Sequence, residues 1–344
     1  MLARDGKRPE RAATAVNMIS FSRQSTILSI EYKKGESVMG KLIDVKAAPI
    51  RETIETLLQD KTTGKNIIWA SNCYAEEGFG FRDVDNIGVM AIVGICSINL
   101  QSRSKKALKE QNARAKAKAE VFTPAWMCNK MLNSIEKERL GFEGAFNTEN
   151  ADNTWTVNHN KIPFRGKNDW QTYVSANSLE ITCGEGPFVV SRYDAASGEL
   201  INPPINRIGI LDRKLRVVNE NTTTDEEWLK WALQAYKSTY DYEYQGDNLL
   251  IARMNLLLTF VDYYKDRIGT EPDKALFNEV ADIISWNFWQ MDGLTDTIPL
   301  IKAQDGTDIL ASIKDWKTNQ VLTMKDFKGE KPEQEKPKKK SRGR

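Results

Sequence analysis

The run Leu179-Glu180-Ile181-Thr182-Cys183-Gly184-Glu185-Gly186-Pro187-Phe188-Val189-Val190 is a short β-forming segment that enters a Gly-x-Gly turn and leaves through a second apolar run. A buried strand passes the chain to a glycine loop and a following helix in this way. Gly184 and Gly186 let backbone approach a ligand closely, and the amides of a helix start favour a negative group. Glu180 falls at the carboxyl end of the strand, where open α/β sheets bind their ligands. Taken alone, the stretch is also satisfied by an ordinary tight turn after a strand.

Composition narrows the chemistry. The chain has 344 residues, 40% of them hydrophobic, which is enough for one large or two ordinary domains with a real core. A net charge of +2 says nothing by itself about partners. Cys73, Cys96, Cys128 and Cys183 are scattered without a CxxC pair, and His159 is the single histidine. That argues against a zinc site, a disulfide framework and Ser-His or Cys-His nucleophilic chemistry, and no metal site is expected. The longest apolar stretch, 87–98, is short and broken by glycine, so no membrane span is expected. A cytoplasmic protein is the expectation.

Upstream of the glycine loop, residues 1–38 show neither helical nor strand period and read as a disordered leader. Codons for Lys33-Lys34-Gly35-Glu36 can be purine-rich throughout, as a ribosome-binding site before Met39 would be. Residues 39–120 form an N-terminal region. Ile50, Ile54, Leu57 and Leu58 give 47–60 a helical spacing, and Asn66-Ile67-Ile68-Trp69-Ala70 reads as a strand. The acids Glu76, Glu77, Asp83 and Asp85 lie in an aromatic, glycine-rich loop without ligand spacing, so a solvated loop is expected. Residues 102–120 carry seven Lys or Arg against two Glu and no Gly or Pro. That is either an exposed linker helix or an arm for nucleic-acid phosphates. Phe122-Thr123-Pro124 follows, with Thr123 as cap and Pro124 in the first turn of a helix carrying Trp126, Met127, Met131, Leu132 and Ile135. Residues 141–178 read as an insertion, with His159 in a structural role.

Downstream, Asn202-Pro203-Pro204 is a Pro-Pro turn on its residues. Thr224 and Glu227 cap a helix over 228–240. Glu243 ends a short strand before a helix over 249–264, the place where nucleotide-binding folds hold ribose hydroxyls, and Asp247 is expected as that helix's cap. A helix over 273–284 precedes Trp289-Gln290-Met291-Asp292-Gly293-Leu294, where Asp292 ends another strand or marks its turn. Residues 328–344 hold eight Lys or Arg against three Glu, a basic disordered tail.

The segment 180–188 resembles the first motif of amino-methylating DNA methyltransferases, and Phe122-Thr123-Pro124 before it matches the γ-type motif order. Ile181, Thr182, Glu185 and Pro187 depart from the family's usual residues. The helix Ile251-Ala252-Arg253-Met254-Asn255-Leu256 after Glu243 is similar to the second motif, and Asp292-Gly293-Leu294 to the third. The resemblance covers about 39–327 and is that of a restriction-modification methylation subunit. It implies an α/β fold with a Rossmann-like methyltransferase core over 121–327, a helix-containing N-terminal region and insertions. It implies an S-adenosylmethionine-dependent DNA adenine-N6 methyltransferase, or its cofactor-binding half. Cofactor contacts would come from Phe122, Thr123, Pro124, Glu180, Thr182, Cys183, Gly184, Glu185, Gly186, Phe188, Glu243 and Asp292. The catalytic Asn-Pro-Pro-Tyr is missing: Asn202, Pro203 and Pro204 are followed by Ile205, which cannot stack on a flipped base, and they stand before any ribose-binding strand. DNA is then the expected partner, with a second chain supplying the catalytic motif or a restriction endonuclease beside it. The alternative is a non-catalytic DNA-binding or assembly subunit that retains the fold. A mass spectrum of the natively expressed chain is expected to begin at Met39; a product beginning at Met1 would remove the leader assignment.

Overall fold

The computed structural model describes residues 42–95, 97–106, 111, 112, 114, 123–166 and 169–327. The expected leader, Cys96, Phe122, most of the basic stretch and the basic tail therefore lie outside the described residues. The chain divides into the units Met1–Asp44 and Val45–Arg344, and every element named below belongs to the second.

Helix α1 (Ile50–Leu58) and the short α2 (Val89–Val93) open the unit, followed by α3 (Ala125–Leu140), the hairpin β1 (Asn147–Glu149) and β2 (Trp155–Val157), and α4 (Asp169–Ser175). Next come β3 (Ser178–Ile181), α5 (Ile210–Asn221), α6 (Asp225–Lys237), β4 (Thr239–Glu243), α7 (Gly246–Ile268), α8 (Lys274–Asn287) and β5 (Phe288–Gln290). The chain finishes in β6 (Thr297–Lys302), β7 (Asp308–Leu310), β8 (Ser312–Asp315), β9 (Gln320–Thr323) and α9 (Met324–Phe327).

This is an α/β arrangement around a parallel sheet of order β3-β4-β5, in register through Glu180↔Asp241 and Tyr242↔Trp289. A parallel sheet is stable only when both faces are shielded, and all of β4 is buried. On one face Tyr240 and Tyr242 pack with Trp289, Met291, Ile298, Ala311 and Ile313, so the antiparallel pairs β6–β7 and β8–β9 act as its cover. Helix α7 packs against β4 and β5 and is buried over nearly its whole length. The outer edge of β5 is closed by a side chain: the Gln290 amide accepts from Ile68 N–H and donates to Ile68 C=O, both at 2.9 Å. Among the described residues, β3 has no strand on its other edge, and Ile181 is 60% exposed there.

Two buried cations fix the helices. Arg253 of α7 donates to the carbonyls of Leu57 (2.6 Å), Gln59 (3.0 Å), Ser285 (3.3 Å) and Phe288 (2.8 Å), stitching the ends of α1 and α8 to the start of β5. Burial lowers its guanidinium to about 10. Lys214 of α5 is fully buried, with its ammonium group bonded to Ala176 C=O, Ser238 C=O, Ser238 Oγ and Thr239 Oγ1. Burial holds that amine well below the usual lysine range.

Several local expectations change. Residues 66–70 form only isolated bridges, Gln59↔Asn66 and Ile68↔Asn86; Ile68 gives both backbone groups to the Gln290 side chain, and its neighbours bond to Leu58, Asp83 and Asp85. No α-helix follows the glycine loop; the next one is α5, at Ile210. Gly186 takes a left-handed turn (φ +82°), Pro187 cannot donate to a helical ladder, and Ser191 is bound to Asp212 of α5 (2.8 Å). Thr123 does not cap α3: the cap position falls on Pro124, and Asp194 accepts from Ala125 N–H at 3.3 Å instead. Asp247 lies inside α7. The Thr224 and Asp273 caps of α6 and α8 are present, each accepting from an amide three residues on. The division expected at 120/121 does not separate the packing, since α1 rests on α7 and α8.

Gly246, the first residue of α7, donates to Trp69 C=O at 3.0 Å. A Cβ there would stand 1.9 Å from the Ile68 oxygen. Gly246→Ala is expected to destabilise the fold by about 1–3 kcal/mol through overpacking, read as a lower urea midpoint. An unchanged midpoint would show that the Ile68 contact is loose.

Candidate functional site at the carboxyl end of the parallel sheet

The three strands deliver their ends to one place, and backbone hydrogen bonds lace those ends together. Cys183 N–H donates to Tyr242 C=O (3.2 Å) and Met291 N–H to Glu243 C=O (3.1 Å). Glu243, at the last position of β4, accepts from Gly184 N–H on Oε2 and from Gln245 N–H on Oε1, both at 2.9 Å. Its carboxylate thus ties the glycine loop to the start of α7, and burial raises it from the ordinary range. The loop turns through positive φ at Thr182, Gly184 and Gly186 (57°, 58° and 82°), and Gly186 backs onto Ala252 of α7. After β5, Asp292 is partly exposed and accepts from Leu294 N–H at 2.9 Å. Gly293 is needed there, because an added Cβ would lie 2.7 Å from the Tyr242 hydroxyl.

Glu185 turns away from this edge. It is 2% exposed, accepts from Arg103 N–H (2.5 Å) and from the Tyr193 hydroxyl (2.8 Å), and Asn255 braces both Tyr193 and its carbonyl. Its side chain is therefore a loop anchor rather than the ligand contact that the resemblance implies. Phe188 likewise packs inward, against Cys128, Leu132 and Ile208.

Cys128 of α3 lies between Thr123 and the acid Glu180. Cys128 Sγ reaches Thr123 C=O at 3.6 Å. Its thiol is pushed up to about 12, first by burial and then by the nearby charges of Glu180 and Asp194. Glu180 itself is raised by burial to about 7. It stands opposite Asp241 in the ladder. Asp241 is the residue that the sequence reading passed over. It is fully buried, and neither of its oxygens finds a nitrogen or oxygen partner among the described residues. The Cys183 thiol lies against it, and burial with Glu180 and Glu243 nearby drives its carboxyl well above the usual range. The signal was present in Tyr240-Asp241-Tyr242-Glu243, where alternate residues place both acids on one face of β4.

The remaining candidates are dispersed. Asn202 accepts from Arg207 (3.1 Å) and Tyr263 donates to Pro204 C=O (3.1 Å), so Asn202-Pro203-Pro204 is a held turn leading to Ile205 and is not a strand end. Of the basic stretch, Lys106 and Arg114 are buried against Asp247 at 3.5 and 2.9 Å and cannot serve as solvent-facing phosphate contacts. His159 is exposed. Among the described residues no group of His, Cys, Asp and Glu is placed to hold a metal ion, and no helix is long and apolar enough to cross a membrane. No protein-family model, curated protein or solved structure matches the chain.

What the edge offers chemically is a glycine loop under an acid, a second acid that titrates near neutrality, and a third end at Asp292. Glu180 is an acid whose pKa is higher in the folded state (about 7) than its ordinary value of 4.5. Between those values the native state holds a proton that the unfolded chain has lost, so stability falls as pH rises through that window. Glu180→Gln is expected to remove this dependence, leaving a variant that melts at a higher temperature than the parent above pH 7. Parallel melting curves for the two proteins from pH 5 to 8 would refute the assignment.

Proposed function

We propose that this chain is the cofactor-binding half of an S-adenosylmethionine-dependent DNA adenine-N6 methyltransferase of a restriction-modification system, acting in the cytoplasm with the base-handling motif on another chain. The observation that carries the reading is the convergence of the glycine loop, Glu243 and Asp292 on the carboxyl edge of three parallel strands taken in chain order. That order is the one expected of one half of a Rossmann-like doubly wound sheet, in which the ligand crevice lies at this edge. Glu243 would accept from the ribose hydroxyls, the loop amides would border the methionine portion with Thr123 and Pro124, and Asp292 would receive the adenine amine. The chemistry assigned to this half is positioning of the sulfonium methyl for in-line attack by an extruded adenine. Asn202-Pro203-Pro204 has no place in it, since its groups are held by Arg207 and Tyr263.

One observation favours the second reading, a non-catalytic DNA-binding or assembly subunit that retains the fold. Both Glu243 oxygens already accept backbone amides, and Glu185 faces the interior. Calorimetric titration with S-adenosylmethionine separates the two. Under the first reading binding saturates, and Glu243→Ala and Asp292→Ala each weaken it about tenfold or more, as expected for a lost charge-assisted hydrogen bond. Absence of heat at millimolar cofactor would select the second.

A further inference from the structure

At the opposite, amino end of the parallel sheet, lysines and tryptophans alternate in a row. Lys61 lies 5.7 Å from the centre of the Trp286 ring, and Lys314 lies 5.7 Å from the same ring. Lys314 also sits 4.2 Å over Trp316, and Lys237 stands 5.4 Å from Trp316. The members come from four places in the chain: the turn after α1, the last turns of α6 and α8, and β8 with the residue that follows it. The placement is fixed by hydrogen bonds. Trp316 Nε1 donates to Asn287 Oδ1 at 2.7 Å, and the Tyr240 hydroxyl donates to Lys314 C=O at 3.1 Å. Asn287 ends α8 and Tyr240 is the second residue of β4. All five residues of the row are partly exposed, and Lys317 beyond it is exposed.

The charges are unequally engaged. Lys61 is paired to Asp282 at 2.7 Å. Asp315 is occupied by Lys317 N–H (2.9 Å) and the Thr318 hydroxyl (2.7 Å). Lys237 and Lys314 meet no carboxylate within ion-pair distance among the described residues; aromatic faces hold them instead. Such contacts order an ammonium group without neutralising it. Its remaining donors stay available, and less side-chain entropy is lost when an anion arrives.

From this row the geometry points to a docking site for the phosphate backbone of DNA, centred on Lys237 and Lys314, at the pole of the sheet away from Glu243. Lysines on a rigid frame give affinity that does not depend on sequence and weakens with salt. The phosphates of a duplex present closely spaced anionic oxygens that both ammonium groups can meet at once. Contacts at this pole hold DNA to the chain without presenting a base to the glycine loop, so the site acts as a tether. It stands independently of the cofactor reading.

The test is fluorescence anisotropy of a short labelled DNA duplex with the full chain, titrated at several salt concentrations. Replacing both Lys237 and Lys314 by Gln is expected to weaken binding about tenfold at low salt and to reduce the salt slope by about two, one per lost phosphate contact. Replacing both by Arg is expected to preserve binding. Equal affinity and slope for the parent and the double Gln variant would overturn the proposal, and would leave the basic termini as the source of any DNA binding. Hydrogen exchange on the unaltered chain decides the matter without a variant: the amides over 312–317 are expected to slow when duplex is added, and unchanged exchange there counts against the site. A cofactor titration on the same Gln variant reports separately on the methyltransferase reading.

Discussion

The guanidinium of Arg253 holds together what the chain leaves apart. Four carbonyls converge on it, from the end of α1, the turn after it, the last turn of α8 and the first residue of β5. A helix leaves its last carbonyls without intrahelical partners, and burying them uncompensated costs about 1–3 kcal/mol each. One planar cation with five donors satisfies both helix ends at once, and no neutral side chain could. The position of β5 follows from that junction, and with it the third strand end of the candidate site. Gln290 performs the neighbouring task on Ile68, so the N-terminal segment becomes part of the sheet's wall without becoming a strand.

The same economy runs through the candidate site. Its acids are held by burial and by backbone amides, and cationic side chains are kept elsewhere. Glu243 is satisfied by amides from two segments, burial drives the Asp241 carboxyl well above the usual range, and Glu180 titrates near neutrality. Such a cluster tolerates, and electrostatically favours, a ligand that brings positive charge to the sheet edge. Lys237 and Lys314 lie against tryptophan at the other end of the sheet.

The sequence disclosed the frame more readily than the contacts. The strand ends at Glu180, Glu243 and near Asp292 were legible because short β-forming runs stop at turn residues, and the Thr224 and Asp273 helix starts because caps act locally. The helix expected after Gly186 is missing because Ser191 is drawn to Asp212, 21 positions further along the chain. Asp247 looked like a cap until Lys106 and Arg114 arrived from well over a hundred positions away. Asp241 and the inward turn of Glu185 are equally non-local: each depends on which side of a strand or loop faces α7. The hairpins β6–β9 were passed over because their apolar residues alternate weakly and gain a face only by covering Tyr240 and Tyr242.

Lys214 has a practical consequence. Its amine is enclosed by four oxygens and held well below the usual lysine range by burial, which would make it a better nucleophile than an exposed lysine if a reagent could arrive. None can while α5 remains seated on the start of β4. The rate at which an acylating reagent modifies this one amine therefore measures how often the chain opens at the junction of α5 with the sheet, a clock for local unfolding that needs no added probe.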